Sequence, residues 1–596
     1  MRDSLRAYAT VLGIGFRAAP LHATVQLVTG IVFAVATPVT ALGVKLLIDA
    51  ATTGDLRRGL LATALVAGMV AGSLVCVFYY TNSLFTVRER AGARVSQRLM
   101  ALIGGTEGLA HHEFPQYLDQ VHRIQEERDQ LSAMVNATAG ILRVTATLGV
   151  SMALLGGLHP LLLLLPLLAV VSVWLAKGSR DIQVAAQEAT SGRERLRRHL
   201  FQVGTSSSAA KELRVFGSTD DLLNRHHEIS DQVVGTRNRA SWRSAARNSI
   251  DGVVTALGMV GAIALALSMA VAGEATVGDV VLVVVLAAQL TMTVGTAAMY
   301  VVHFLSVLTV ARRFRWLAEY ARQARPALAD RVPVPRTLRA GIELRGVNFR
   351  YPRTERAEVA LSDVDLRLPP GAVVAVVGEN GAGKTTLVKL LCGLYRPDSG
   401  QILVDGIDLA RFDTRDWQSR VAAVFQDFVA LEFLAGETVG VGDLPRMADR
   451  TAVGAALTAA DATGLVEELP DGLETQLGAR WDGGVDLSGG QWHRLALARG
   501  LMRGEPVLAV FDEPTAALDA QAEHALFERF TAAVRDHRRQ GTVTLLVSHR
   551  FSTVRMADLI VVLDKGTIVE RGNHDELMAS GGLYAELYDM QSRAYL

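Results

Sequence analysis

Val373-Val374-Ala375-Val376-Val377-Gly378-Glu379-Asn380-Gly381-Ala382-Gly383-Lys384-Thr385-Thr386-Leu387-Val388-Lys389-Leu390-Leu391 decides the reading of this chain. Its first five residues are uncharged and rich in β-branched valine, which reads as a short buried strand. Its last five are helix-like. The loop between them has the spacing G-x-x-x-x-G-K-T. Glycines there let backbone N–H groups turn inward around phosphate at the positive end of a helix. Lys384 neutralises phosphate charge, and the Thr385 hydroxyl can ligate Mg²⁺. The strand–loop–helix context favours a phosphate cradle over a plain Gly-rich turn. Gly378, Glu379, Asn380, Gly381, Ala382, Gly383, Lys384, Thr385 and Thr386 are therefore the candidate phosphate-binding residues.

Two further strands belong with it. Val507 to Phe511 is apolar and ends in Asp512-Glu513, and an acid at the carboxyl end of a buried strand beside a phosphate loop suits Mg²⁺. Glu513 can polarise an attacking water. Thr542 to Val547 ends at Ser548-His549. Three such strands predict an α/β phosphate-binding core.

Leu487-Ser488-Gly489-Gly490-Gln491, followed by Arg494-Leu495-Ala496-Leu497-Ala498-Arg499, resembles the signature motif of ATP-binding cassette (ABC) transporters. Phe425-Gln426-Asp427, Ala517-Leu518-Asp519 and His549 stand in the order expected of that family. The resemblance implies an α/β P-loop NTPase cassette that uses ATP and Mg²⁺. It makes Tyr351 the adenine-stacking aromatic, Glu513 the general base, His549 the γ-phosphate sensor and Gln426 the link between metal, water and membrane domain. Thr385, Gln426 and Asp512 would hold the metal, and Asp519 would communicate across a dimer. Leu487, Ser488, Gly489, Gly490 and Gln491 would act on the nucleotide of a second chain. One departure lies at Ala479, where many exporters carry a glutamate. No catalytic position is degenerate, so the resemblance implies a homodimer or the competent half of a heterodimer.

The rest of the 596 residues explains a neutral net charge. Residues 1–330 hold 31 Lys+Arg against 23 Asp+Glu, and residues 331–596 hold 29 against 37, so +8 and −8 cancel. The basic half contains long apolar runs; 59–87, 252–273 and 280–311 carry no Asp, Glu, Lys or Arg. A spanning helix needs about 20 apolar residues. Six segments qualify on this reading: 21–48, 59–86, 133–157, 158–176, 252–272 and 278–308. The expected fold is thus an α-helical polytopic membrane domain of six transmembrane helices followed by the cassette. The first segment is too long for a signal peptide. Lys and Arg crowd the loops 88–132 and 177–251, which predicts that both termini and the cassette are cytoplasmic, in a cell membrane. Arg57 and Arg58 alone disagree. Two cysteines exclude a disulfide scaffold. Membrane topology accounts for the arginines without nucleic acid, and membrane lipid is the natural partner. The Ala-, Arg- and Gly-rich, Lys-poor composition points to a bacterial source.

Three prolines in 326–340 mark the boundary. The expected division is 1–325, a linker at 326–340, a cassette at 341–580 and a tail at 581–596. His112, Glu113 and Phe114 in the first cytoplasmic loop, and Val215, Phe216 and Gly217 in the second, resemble exporter coupling elements, with Glu432 a candidate acid that meets them. Arg143, Gln289 and Thr293 are candidate cargo-cavity residues, since polar groups inside spans carry function. Lys45 is expected to snorkel or to pair with Asp49 at i,i+4. The cargo is a small molecule, lipid or peptide. The leading expectation is ATP-driven export of a lipid, peptide, drug-like or natural-product substrate. Import of a metal chelate and a cargo-free ATP-gated switch are the alternatives.

Overall fold

The computed structural model describes residues 2–324, 331–351, 359–513, 541–548 and 550–594. They fall into two compact units, Met1–Gly105 with Gln120–Arg322, and Thr106–Asp119 with Gln323–Leu596.

The first unit is helical: α1 (Arg2–Ala18), α2 (Pro20–Thr53), α3 (Leu56–Ile103), α4 (Pro115–Glu126, which begins in the second unit), α5 (Arg128–Ser132), α6 (Met134–Gly156), α7 (Leu164–Thr205), α8 (Ser207–Val215), α9 (Thr219–Val271) and α10 (Val277–Gln323). At 1.5 Å per residue, the 53 residues of α9 extend about 80 Å, far beyond a hydrocarbon core of about 30 Å. The long polar loops of the sequence, 88–132 and 177–251, are thus largely continuations of spans. Gly54 ends α2 in a left-handed turn, and Asp55 restarts the chain by accepting a bond from Arg58 N at 3.0 Å.

Among the described residues five helices, α2, α3, α6, α9 and α10, are long and apolar enough to cross a membrane. The fourth expected span differs. Gly156-Gly157 ends α6, and His159 caps a single 3₁₀ turn, Pro160–Leu163, before α7 begins at Leu164. The apolar part of α7 itself is therefore short, and Lys177, Arg180 and Asp181 follow closely. Lys45 also differs from expectation: it pairs with Asp279 of α10, while Asp49 accepts from Gly278 N at 3.2 Å. A half-buried tertiary partner outweighs a solvated i,i+4 pair. Large apolar side chains such as Phe78, Leu257 and Val260 are exposed on this unit, as suits a surface solvated by lipid.

Among its described residues the second unit has two sheets. The smaller is antiparallel and runs β2-β1-β4-β5, from β1 (Ile342–Arg350), β2 (Val359–Leu368), β4 (Ser399–Val404) and β5 (Ile407–Asp408). The larger runs β10-β9-β3-β8-β7-β6, from β3 (Val373–Val377), β6 (Val421–Val424), β7 (Leu508–Asp512), β8 (Val543–Val547), β9 (Leu559–Asp564) and β10 (Thr567–Gly572). Every residue of β3, β7 and β8 is buried. That is why these strands read as unbroken apolar runs rather than alternating ones. Their parallel register sets Val376 beside Val547 and Asp512 beside Val547, so their carboxyl ends share one edge.

Segment 106–119 is part of this second unit. Leu109 N donates to Leu394 O at 2.9 Å, Thr414 Oγ1 donates to Glu107 at 3.0 Å, and Tyr395 OH donates to Glu113 at 2.5 Å. Leu109 and Ala110 pack on the cassette core.

Candidate functional site

β3 delivers the chain into the glycine loop, and α11 (Lys384–Leu391) leaves it. Gly378, Gly381 and Gly383 have φ of 150°, 85° and 103°. At Gly383 a side chain would also meet Ala360 O at 2.7 Å, so only glycine fits. Lys384 is buried and folds back over the loop, its ammonium donating to Gly378 O at 2.7 Å and Glu379 O at 2.9 Å. Burial lowers its pKa, while Glu513 and Asp512 act in the opposite sense.

Asp512 ends β7 with 2% of its surface exposed. Burial, then the charge of Glu513, pushes its carboxyl up to about 6, against a hydrogen bond from Thr385 and the charge of Lys384. Asp512 Oδ2 is buried without a hydrogen-bond partner. An ionised carboxylate with a vacant lone pair beside the Thr385 hydroxyl fits a hard cation that prefers oxygen ligands. Glu513 adopts φ of 51° and donates its N–H to Val547 O at 2.9 Å, and its carboxylate accepts from Gln426 Nε2 at 2.8 Å. Gln426, Lys384, Thr385, Asp512 and Glu513 are therefore in one place. Asp427 joins them: it also raises the pKa of Asp512, and the sequence reading gave it no role.

Tyr351 OH and Thr386 Oγ1 are 3.1 Å apart, and the Lys389 ammonium lies 5.4 Å from the centre of the Tyr351 ring. Tyr395, absent from the sequence-based candidates, packs edge-on to Tyr351 and bonds to Glu113. Burial, then its bond to Glu113, raises its pKa. Nothing in the sequence around Tyr395 marks it, because its partner is 282 residues away.

Ser488 caps the helix Gly489–Leu501. Its hydroxyl accepts from Gln491 N, and Gln491 Oε1 accepts from Ser488 N at 2.8 Å, a reciprocal capping box. Leu487 is buried beneath the turn, while Ser488 and Gly489 are exposed and Gly490 half-buried. His549 and Asp519 lie outside the described residues.

Of the coupling candidates, Glu113 is held by Tyr395, while His112 and Phe114 are exposed beside it. Val215 and Phe216 end α8 with 80% and 73% of their surface exposed, and Gly217 turns the chain at φ of 61°. Glu432 is engaged by Arg480 at 2.8 Å, next to the divergent Ala479.

In the helical unit, Arg143 Nη2 donates to Tyr300 OH at 3.1 Å and its guanidinium lies over the rings of Tyr80 and Tyr300. Gly140 makes room for the Tyr300 ring. Tyr80 OH and Gln26 Nε2 both donate to Asn136 Oδ1, at 2.9 and 3.3 Å. The hydrogen bond of Arg143 thus goes to neither Gln289 nor Thr293; Thr293 bonds to Gln289 O of its own helix at 2.8 Å.

Residues 361–516 match the family model for ABC transporters, and residues 132–294 that for the ABC transporter transmembrane region. An ATP-dependent lipid A-core flippase of Xanthomonas campestris pv. campestris (strain 8004) is 33% identical over 435 residues, covering 73% of this chain and 70% of that protein. One of Aromatoleum aromaticum is 40% identical over 252 residues, covering 42% and 40%. The solved structure of a bacterial Atm1-family ABC exporter with ATP bound superposes with a TM-score of 0.76 at 24% identity, over 97% of this chain and 98% of that one.

Proposed function

The chain belongs to the ABC transporter family as an exporter-type half-transporter, a multi-pass membrane ATPase coupled to translocation, and we propose that two such chains export a lipid with ATP held between them. The lipid class is supported by the flippase activity of relatives at 33% identity. Cytoplasmic termini and cassette are supported by the placement of Lys and Arg.

One observation carries the mechanism: the glycine loop, the vacant Asp512 Oδ2 and the Gln426–Glu513 pair meet at the carboxyl edge of β3 and β7. In this reading Gly378–Thr386 wrap the phosphates, and Lys384 exchanges its two carbonyl partners for phosphate oxygens. Thr385, Asp512 and Gln426 would hold Mg²⁺, which when bound would withdraw charge from the transferring phosphoryl group. Glu513 takes the proton of the attacking water, and the bond from the Gln426 amide keeps its carboxylate aimed. Tyr351 stacks on adenine. His549 and Asp519 keep the roles implied by the family resemblance.

Ser488, Gly489 and Gly490 supply backbone N–H groups at a helix start to a γ-phosphate. The exposure of Ser488 and Gly489 leaves that turn open to a nucleotide carried by a second chain. The exposed Val215-Phe216 tip suits docking on a cassette, and Arg143 in its tyrosine clasp is the polar point of the cargo path.

Inside-out vesicles test the direction. ATP-dependent movement of a fluorescent lipid toward the lumenal leaflet is the expected result. ATP-dependent movement the other way establishes import instead, and ATPase activity with no lipid movement removes the lipid assignment.

A further inference from the structure

The apolar run of α7 ends at Trp174, Leu175 and Ala176, and Lys177 follows. That of α9 begins after Asp251, one turn beyond Arg247. These two boundaries face each other. The Arg247 guanidinium lies 5.2 Å from the centre of the Trp174 ring, and Ser179 Oγ donates to Asn248 Oδ1 at 2.8 Å. Gly178 is what permits this. A side chain there would overlap the Arg247 guanidinium.

The two helices thereby enclose an open groove of about 500 Å³ lined by Trp174, Lys177, Gly178, Asp181, Ile182 and Arg247. Two cations face one carboxylate. Arg247 Nε is buried and has no hydrogen-bond partner. Further along the same helices, by contrast, Arg197 and Arg237 are both tied to Glu194. Among the described residues neither Lys177 nor Arg247 enters an ion pair, so their charge is uncommitted. Toward the apolar side the groove continues over exposed carbon. Leu167 and Val171 stand two turns and one turn from Trp174 on the same face of α7, and Val253 and Leu257 are exposed on α9.

We propose that this groove binds the phosphate of an anionic membrane phospholipid. Arg247 and Lys177 grip the phosphate, Trp174 sits at headgroup depth, and the acyl chains lie along Leu167, Val171, Val253 and Leu257. Tryptophan with a cation at the end of an apolar run marks the lipid interface. Asp181 leaves an acceptor for a headgroup hydroxyl, which favours a glycerol headgroup. The site is distinct from Arg143, whose guanidinium is already clasped by tyrosines. It rests on the reading that the helical unit lies in a bilayer, not on the cargo.

The full-length protein is reconstituted in discs of phosphatidylcholine and phosphatidylglycerol, re-extracted, and its retained lipids are weighed by native mass spectrometry. Each juxtamembrane cation contributes about fivefold to anionic-lipid binding. Lys177→Gln and Arg247→Gln are therefore expected each to cut phosphatidylglycerol retention about fivefold, and the double variant about thirtyfold. Arg247→Lys keeps the charge, guards against a folding artefact and should retain most of it. Arg225→Gln, an exposed cation of α9 paired with Asp221, should change nothing. Equal retention by wild type and double variant overturns the proposal. Displacement by soluble glycerol phosphate as effective as by lipid reduces it to a free-anion site and overturns it. Loss of the dimer with lipid retention intact assigns the groove to a second copy, again overturning it. ATP hydrolysis in the same discs is read separately, so its absence would strike the ATPase reading alone.

Discussion

Glu513 occupies a left-handed backbone conformation that costs a residue with a side chain of order 1–3 kcal/mol. Its N–H bond to Val547 and its carboxylate bond to Gln426 hold it there. Strain of that kind at the end of a buried strand is consistent with a catalytic base. Glu513→Gln is expected to lower ATP turnover about 10²- to 10⁴-fold while nucleotide still binds; steady-state hydrolysis at wild-type rates in that variant would remove Glu513 from the mechanism. Asp512 gives a pH signature. Its carboxyl, pushed up to about 6 by burial and Glu513, holds a proton in the fold at pH values where the unfolded chain has lost it. The nucleotide-free protein should therefore gain stability as pH falls from above 6 toward 4. Metal needs the ionised form, so Mg²⁺-dependent ATP binding should weaken over the same fall. Titration calorimetry at pH 5.5 and 7.5, and melting of the nucleotide-free protein, check both signs; Asp512→Asn should flatten both.

At the scale of elements, the strand–loop–helix of 373–391 was legible because its chemistry is local. Positive φ at Gly381 and Gly383 is required by a turn whose signal is the glycine itself. Gly383→Ala should therefore cost about 1–3 kcal/mol in denaturant unfolding as well as nucleotide affinity. If the variant matches wild type in both, the close approach of Ala360 O is not what fixes that glycine. What the sequence hid are partners joined through space. Lys45 reads as snorkelling or paired with Asp49 because α2 is legible in the sequence and the arrival of α10 is not. Arg143 was visible as a charge in a span, yet its tyrosines come from α3 and α10. The fourth span was read from apolar length alone, which does not register that Pro160 starts a separate turn. Tyr395 was missed for the same reason as the tyrosines around Arg143. Tyr395→Phe, which deletes only the hydroxyl that Glu113 accepts, should leave ATP binding intact and reduce stimulation of hydrolysis by lipid. Unchanged stimulation would make the bond merely structural.

At the scale of the molecule, the charge cancellation of the sequence resolves into a basic helical unit and an acidic cassette, and the order of the two was readable from motif spacing alone. That two chains pair is implied by the family resemblance alone; the surfaces proposed to carry it, the Ser488-Gly489 turn and the Val215-Phe216 tip, are exposed in a single chain. Glu513→Gln with ATP should raise the dimer fraction in chemical crosslinking between cysteines placed at Ser488 and Gly381. Crosslinking that ignores ATP would exclude the shared nucleotide.

The second unit is discontinuous: fourteen residues from the loop after α3, Thr106–Asp119, fold with it. A fragment cut at the proline-rich boundary would lack the residues that cover Leu394 and Tyr395. It would be a wounded cassette, with an apolar scar where Leu109 and Ala110 had lain. Exchange of cassettes between transporters by recombination at that boundary would graft a motor onto a foreign piece of its own surface. Such chimaeras should hydrolyse ATP yet transmit it poorly unless residues 106–119 travel with the cassette.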